Sequence, residues 1–116
     1  MGNMLYYGDN LEIIIRHISD NSVDLIYLDP PFNSKANYNI LYKEPTGEPS
    51  KAQVTAFEDT WHWSEESERA FHEIAKTAPA QVVDMMTSFR QFIKENNMMA
   101  YLTMMCIRLL ELKRVL

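Results

Sequence analysis

Asp29-Pro30-Pro31-Phe32 stands directly after the run Val23-Asp24-Leu25-Ile26-Tyr27-Leu28, and a carboxylate, two prolines and an aromatic ring in that order can hold a planar amine. The exocyclic amine of adenine or cytosine is a poor nucleophile, because its lone pair is delocalised into the ring. Asp29 can accept a hydrogen bond from one N–H of such an amine and the Pro30 carbonyl from the other, which draws the nitrogen toward tetrahedral geometry and aims its lone pair at an electrophile. Proline fixes its own φ and pushes the preceding residue out of the helical region, so Pro30 and Pro31 stiffen the corner before any substrate arrives. Phe32 offers a ring face on which an extruded base can stack, a contact worth about 1–3 kcal/mol per base.

The elements that must position this corner follow from periodicity. Residues 4–7 read as a short strand. Asp9 or Asn10 then caps a helix whose Leu11, Ile14, Ile15 and Ile18 share one face, and residues 23–28 read as a second strand, apolar almost without interruption. Strand, helix and strand make a βαβ unit over residues 1–32, expected to be right-handed with the strands parallel and buried on both faces. Asp29 then lies beyond the carboxyl end of a parallel strand, where ligands of open α/β sheets sit. Over 33–55 the periodicity disappears and Pro45, Gly47 and Pro49 punctuate a polar stretch, expected to be a mobile loop. The remainder, 56–116, is helical in pattern. Ser64 precedes Glu65 and Glu66 as a cap, Pro79 separates this helix from one carrying Val82, Val83, Met86, Phe89, Phe92 and Ile93, and Asn96 or Asn97 opens a third, with Arg108, Glu111 and Arg114 as a polar stripe.

The stretch Tyr6-Tyr7-Gly8-Asp9-Asn10-Leu11-Glu12, followed by a helical segment and Ser22-Val23-Asp24-Leu25-Ile26-Tyr27-Leu28-Asp29-Pro30-Pro31-Phe32-Asn33, resembles the opening of the S-adenosylmethionine-dependent amino-group DNA methyltransferases. It is similar to the permuted group, whose catalytic tetrad precedes the cofactor's glycine motif, and the resemblance covers residues 3–33. It implies an α/β fold, a partial Rossmann-like methyltransferase domain with a short parallel sheet and a helical C-terminal half. It also implies catalytic roles for Asp29, Pro30, Pro31 and Phe32, contact of Asp9 and Asn10 with the cofactor, contact of Asn33 and Lys35 with double-stranded DNA, and adenine ahead of cytosine as the target. The departure from the pattern is the glycine turn. The only glycines are Gly2, Gly8 and Gly47, so the methionine end of S-adenosylmethionine has no cradle. The chain also stops within an apolar helix, as expected of a single truncated domain, inactive alone. Two further readings stay open: a non-catalytic helical module that binds a partner, and an amino-group methylase acting on RNA or a protein amide.

Composition limits the rest. The 116 residues, 47% hydrophobic and 23% charged, suffice for one small core. A net charge of −5 is unhelpful for gripping a polyanion, and Glu58, Asp59, Glu65, Glu66, Glu68 and Glu73 should keep their segment away from DNA. Lys35, Lys43 and Lys51 are thinly spread. Cys106 is the only cysteine, so no internal disulfide forms, and with no signal-like segment at Met1 a cytoplasmic location is expected. No apolar run is long enough for a membrane span. His17, His62 and His72 lack metal-ligand spacing, so no metal is expected, and Trp61-His62-Trp63 reads as a local apolar plug. The last helix, rich in Met98, Met99, Leu102, Met105, Ile107, Leu109, Leu110 and Leu112, is expected to pair two copies as a homodimer.

Overall fold

The structure, a computed structural model, describes residues 2–30, 37–40, 54–58 and 61–116. Four helices dominate: α1 (Asn10–His17), α2 (Glu65–Thr77), α3 (Ala80–Ile93) and α4 (Asn97–Val115). Their starts are locally encoded. The Asp9 carboxylate accepts from the Leu11 N–H, Ser64 and Ser67 form a reciprocal capping box at α2, and the Asn96 side chain accepts from the Met99 N–H at α4, each satisfying an amide that the helix itself leaves unpaired. Glu65, Glu66 and Glu68 add favourable charge to the first turn of α2. Pro79 precedes α3 as its N-cap, and Lys94 ends it with φ 73°.

The core is a helical bundle organised on α4, which packs against α1, α2 and α3. Ile74 of α2, Met86 of α3 and Met99 of α4 form its buried centre, with Trp63, Phe71, Val82, Ile93, Leu102, Cys106 and Leu110 around them. Small Ala70 and Ala100 are buried as well, which brings helix backbones close. On α4 itself Met98 and Leu109 remain exposed, as does Leu116 at its end.

The expected α/β architecture with a parallel sheet is corrected here: the core is all-helical, and no parallel strands pair among the described residues. Residues 4–7 and 23–28 belong to no strand and form no ladder with each other. The reason lies at the root of the second segment. The amides of Asn21, Ser22 and Val23 donate to the carbonyls of Arg114 and Val115 at the end of α4 (3.1, 2.8 and 2.9 Å), so the segment is anchored to a helix terminus rather than to another strand. Leu5, Leu25 and Tyr27 consequently stay 96%, 83% and 90% exposed. An apolar run specifies extended, buriable backbone; it does not specify the partner.

The strands present are antiparallel and lie elsewhere. β1 (Asn37–Ile40) pairs with β2 (Val54–Glu58), Asn37 opposite Glu58 and Ile40 opposite Val54, with a register shift between Tyr38 and Asn39. This ladder occupies part of the stretch without periodicity; the mobile loop expected over 33–55 otherwise lies outside the described residues.

Candidate functional site

Asp29 follows the apolar segment 23–28, whose root is bonded to the α4 terminus. That root is fixed by the three amide bonds from residues 21–23 and by the Ser22 hydroxyl, which donates to the Ser19 carbonyl at 2.6 Å. Asn21 carries the turn in the left-handed region, φ 53°, a conformation that asparagine tolerates better than most residues. Asp29 itself is exposed and Pro30 half-buried. No basic side chain pairs with Asp29 among the described residues, so its carboxylate is available as a hydrogen-bond acceptor. Pro31, Phe32, Asn33 and Lys35 lie outside the described residues, as do Lys43 and Lys51. The structure therefore places the carboxylate of the corner, but not the ring that would face it.

Asp9 and Asn10 have a different occupation from the one the resemblance implies. Arg108 of α4 donates from Nη2 to Asp9 Oδ1 at 2.9 Å and from Nε to Asn10 Oδ1 at 2.8 Å, while its Nη1 donates to the Met104 carbonyl. Asp9 Oδ1 also receives the Leu11 amide. The two residues expected to meet a cofactor thus dock the start of α1 on α4. Gly8 before them has φ 145°, backbone that a side chain rarely adopts, yet it is not followed by the further glycines of a phosphate or cofactor turn. With the Oδ1 atoms of Asp9 and Asn10 held by Arg108 and no glycine turn in the sequence, the described residues do not fit S-adenosylmethionine.

Arg114 works at the other end of α1. Its Nη2 donates to the carbonyls of Ile14 and Ile18, both at 3.1 Å, its Nη1 to Asp20, and its Nε to Glu111 Oε2 at 2.6 Å. The Ile14 carbonyl already accepts from the Ile18 amide at 3.2 Å, so this cation gives it a second donor and pairs the Ile18 carbonyl just past the end of α1. Sequence reasoning saw Arg108, Glu111 and Arg114 as a polar stripe and assigned them no partner. Their spacing of three on a mostly apolar helix was the available signal, since such a stripe must meet polar atoms or water.

The aromatic cluster before α2 is structural. Trp61 lies 6.3 Å from Tyr101, ring to ring, at a 59° tilt, and the guanidinium of Arg90 sits between Trp63 and Phe71, 4.7 Å from each ring. A shallow depression on the outer side of α3 is lined, among the described residues, by Ser88, Phe89, Gln91 and Phe92, none of them titratable. No cluster of three or more His, Cys, Asp or Glu suited to a metal occurs among the described residues, and no helix among them is long and apolar enough to cross a membrane. Comparison of the chain with protein-family models, with characterised proteins and with solved structures finds no match.

Proposed function

We propose that this chain supplies the amine-orienting part of an amino-group DNA methyltransferase, with adenine ahead of cytosine as the base. The observation that carries the reading is Asp29-Pro30-Pro31-Phe32 at the end of an apolar segment, with an exposed Asp29 that no described cation neutralises. Asp29 accepts one amine N–H, the Pro30 carbonyl accepts the other, Pro31 keeps the corner stiff, and Phe32 stacks on the base. The methyl donor of such a reaction is S-adenosylmethionine, which the described residues do not accommodate, so its site belongs to other parts of the assembly that methylates.

A second reading, a helical module that binds a partner, is favoured by one observation: Met85, Phe89 and Phe92 form an exposed apolar row on α3. One experiment separates the two. The whole reading frame containing this chain is expressed in a host whose DNA lacks methylated adenine and N4-methylated cytosine, and the hydrolysed DNA is analysed by mass spectrometry. A methylated base that falls by about a hundredfold or more with Asp29→Ala is expected, the scale of losing a group that orients the reacting atom. No methylated base from the unaltered protein, or equal amounts from the variant, would sink the enzyme reading in favour of the module.

A further inference from the structure

Residues 2–30 contribute nothing to the buried core. The central cluster and its surrounding side chains run from Trp63 to Leu110, and no residue of α1 is buried. Leu11, Ile13, Ile14 and Ile18 are only half-covered. An eight-residue helix is too short to persist alone in water, so α1 exists because something holds it against α4.

Half-covered aliphatic side chains supply part of that hold, and the polar part is concentrated at the two ends of α1. Arg108 grips the first turn through Asp9 and Asn10. Arg114 grips the last through Asp20 and the carbonyls of Ile14 and Ile18. The exchange is reciprocal, because residues 21–23 return three amides to the terminal carbonyls of α4. The arginines are mostly covered, with side chains 12% and 29% exposed, whereas their acidic partners Asp9 and Asp20 are 50% and 68% exposed. Contacts of this kind are charge-assisted yet open to salt on one side.

We infer that residues 2–30 are a separable unit, latched to α4 by Arg108 and Arg114, and that they release without unfolding the α2–α4 bundle. Release frees the oxygens of Asp9 and Asn10, uncovers the face of α4 that α1 occupies, and cuts the segment bearing Asp29 loose from its root. The latch is independent of the methylation reading, since it rests on contacts that do not involve Asp29.

Hydrogen exchange of the full chain, followed by mass spectrometry, tests this directly. In Arg108→Met with Arg114→Met, amides of α1 should exchange about tenfold faster or more, as expected when charge-assisted contacts holding a thinly packed helix are lost. The last turn of α4 should accelerate with them, because it loses the amides of residues 21–23. Amides of α2, α3 and the earlier turns of α4 should stay within about twofold of the unaltered protein. Raising NaCl to about 1 M should shift the unaltered protein the same way. The double variant Asp9→Ala with Asp20→Ala removes both ion pairs between residues 2–30 and α4 without touching α4; it leaves the bonds of Arg108 to Asn10 and of Arg114 to the two carbonyls, so a smaller acceleration confined to α1 is expected, and it decides the matter if the arginine variant does not fold. Acceleration spread evenly over α1, α2 and α3 would overturn the inference, as would unchanged α1 exchange. Methylation of DNA is not the readout, so failure here and failure of the proposed function are distinguishable.

Discussion

Replacing Arg90 with Met should destabilise the bundle by about 2 kcal/mol. The guanidinium lies against both Trp63 and Phe71 at 4.7 Å, and it bridges Glu68 of α2 and Glu95 of the α3–α4 turn, the latter at 2.7 Å. The hydrogen bond to Glu95, and after it the hydrogen bond and charge of Glu68, push its pKa up against the opposing effect of burial, so it is cationic at any working pH. Two cation–π contacts at partly exposed positions contribute about 0.5–1 kcal/mol each. The acids are 50% and 52% exposed, which limits each ion pair to about 0.2–1 kcal/mol. One guanidinium serves all four contacts, so they do not simply add, and a loss in the lower half of the combined range is the expectation. For a chain of this size that is a fall in melting temperature of about 8 °C. Urea unfolding followed by circular dichroism measures the loss, and tryptophan emission reports the contact with Trp63. Arg90→Lys separates the parts: it keeps the charge but not the planar stack, so it should recover about half of the lost stability. At 1 M NaCl, where the Debye length is about 3 Å, the ion-pair share should vanish and the aromatic share remain. A Met variant as stable as the unaltered protein, with unchanged emission, would refute the reasoning.

Cys106 is half-buried on α4, and burial pushes its thiol pKa up. Its reaction with a disulfide reagent near neutral pH should be at least about tenfold slower in the folded chain than in urea, because the thiolate is the nucleophile; equal rates would show the site open. Since the folded pKa is the higher one, this group's contribution to stability is complete below the ordinary thiol value of 9.0 and is lost as pH rises through the folded value. Lys94 has φ 73° at the end of α3, strained for any residue with a side chain, so Lys94→Gly should raise stability by up to about 1 kcal/mol despite glycine's freer unfolded state; calorimetry showing a lower melting temperature would argue against that strain.

The helices were legible because their signals are local. Ser64 before Glu65 and Glu66, Pro79 between two helices, and Asn96 before α4 each act within a turn of chain, and hydrophobic spacing did the rest. The parallel sheet was misread for the opposite reason. Residues 23–28 have the composition of a buried strand, but what they pair with depends on atoms about ninety residues away, at Arg114 and Val115. The same distance hid the partners of Arg108 and Arg114. For the candidate site, Asp29 was found by chemistry alone, while the contact of Asp9 and Asn10 with Arg108 required knowing which helix α1 lies against.

The position of α4 in the chain also governs when the fold can form. It follows α1, α2 and α3 during synthesis, yet all three pack on it. Until Met99 emerges, Ile74 and Met86 have no third partner for their apolar side chains, and α1, too short to be stable alone, waits for Arg108 and Arg114 across nearly the whole described chain. Loop closure over such separations is slow compared with helix formation. The nascent chain therefore grows without the hub on which its helices pack, and the apolar faces of α2 and α3 stay uncovered until α4 is complete.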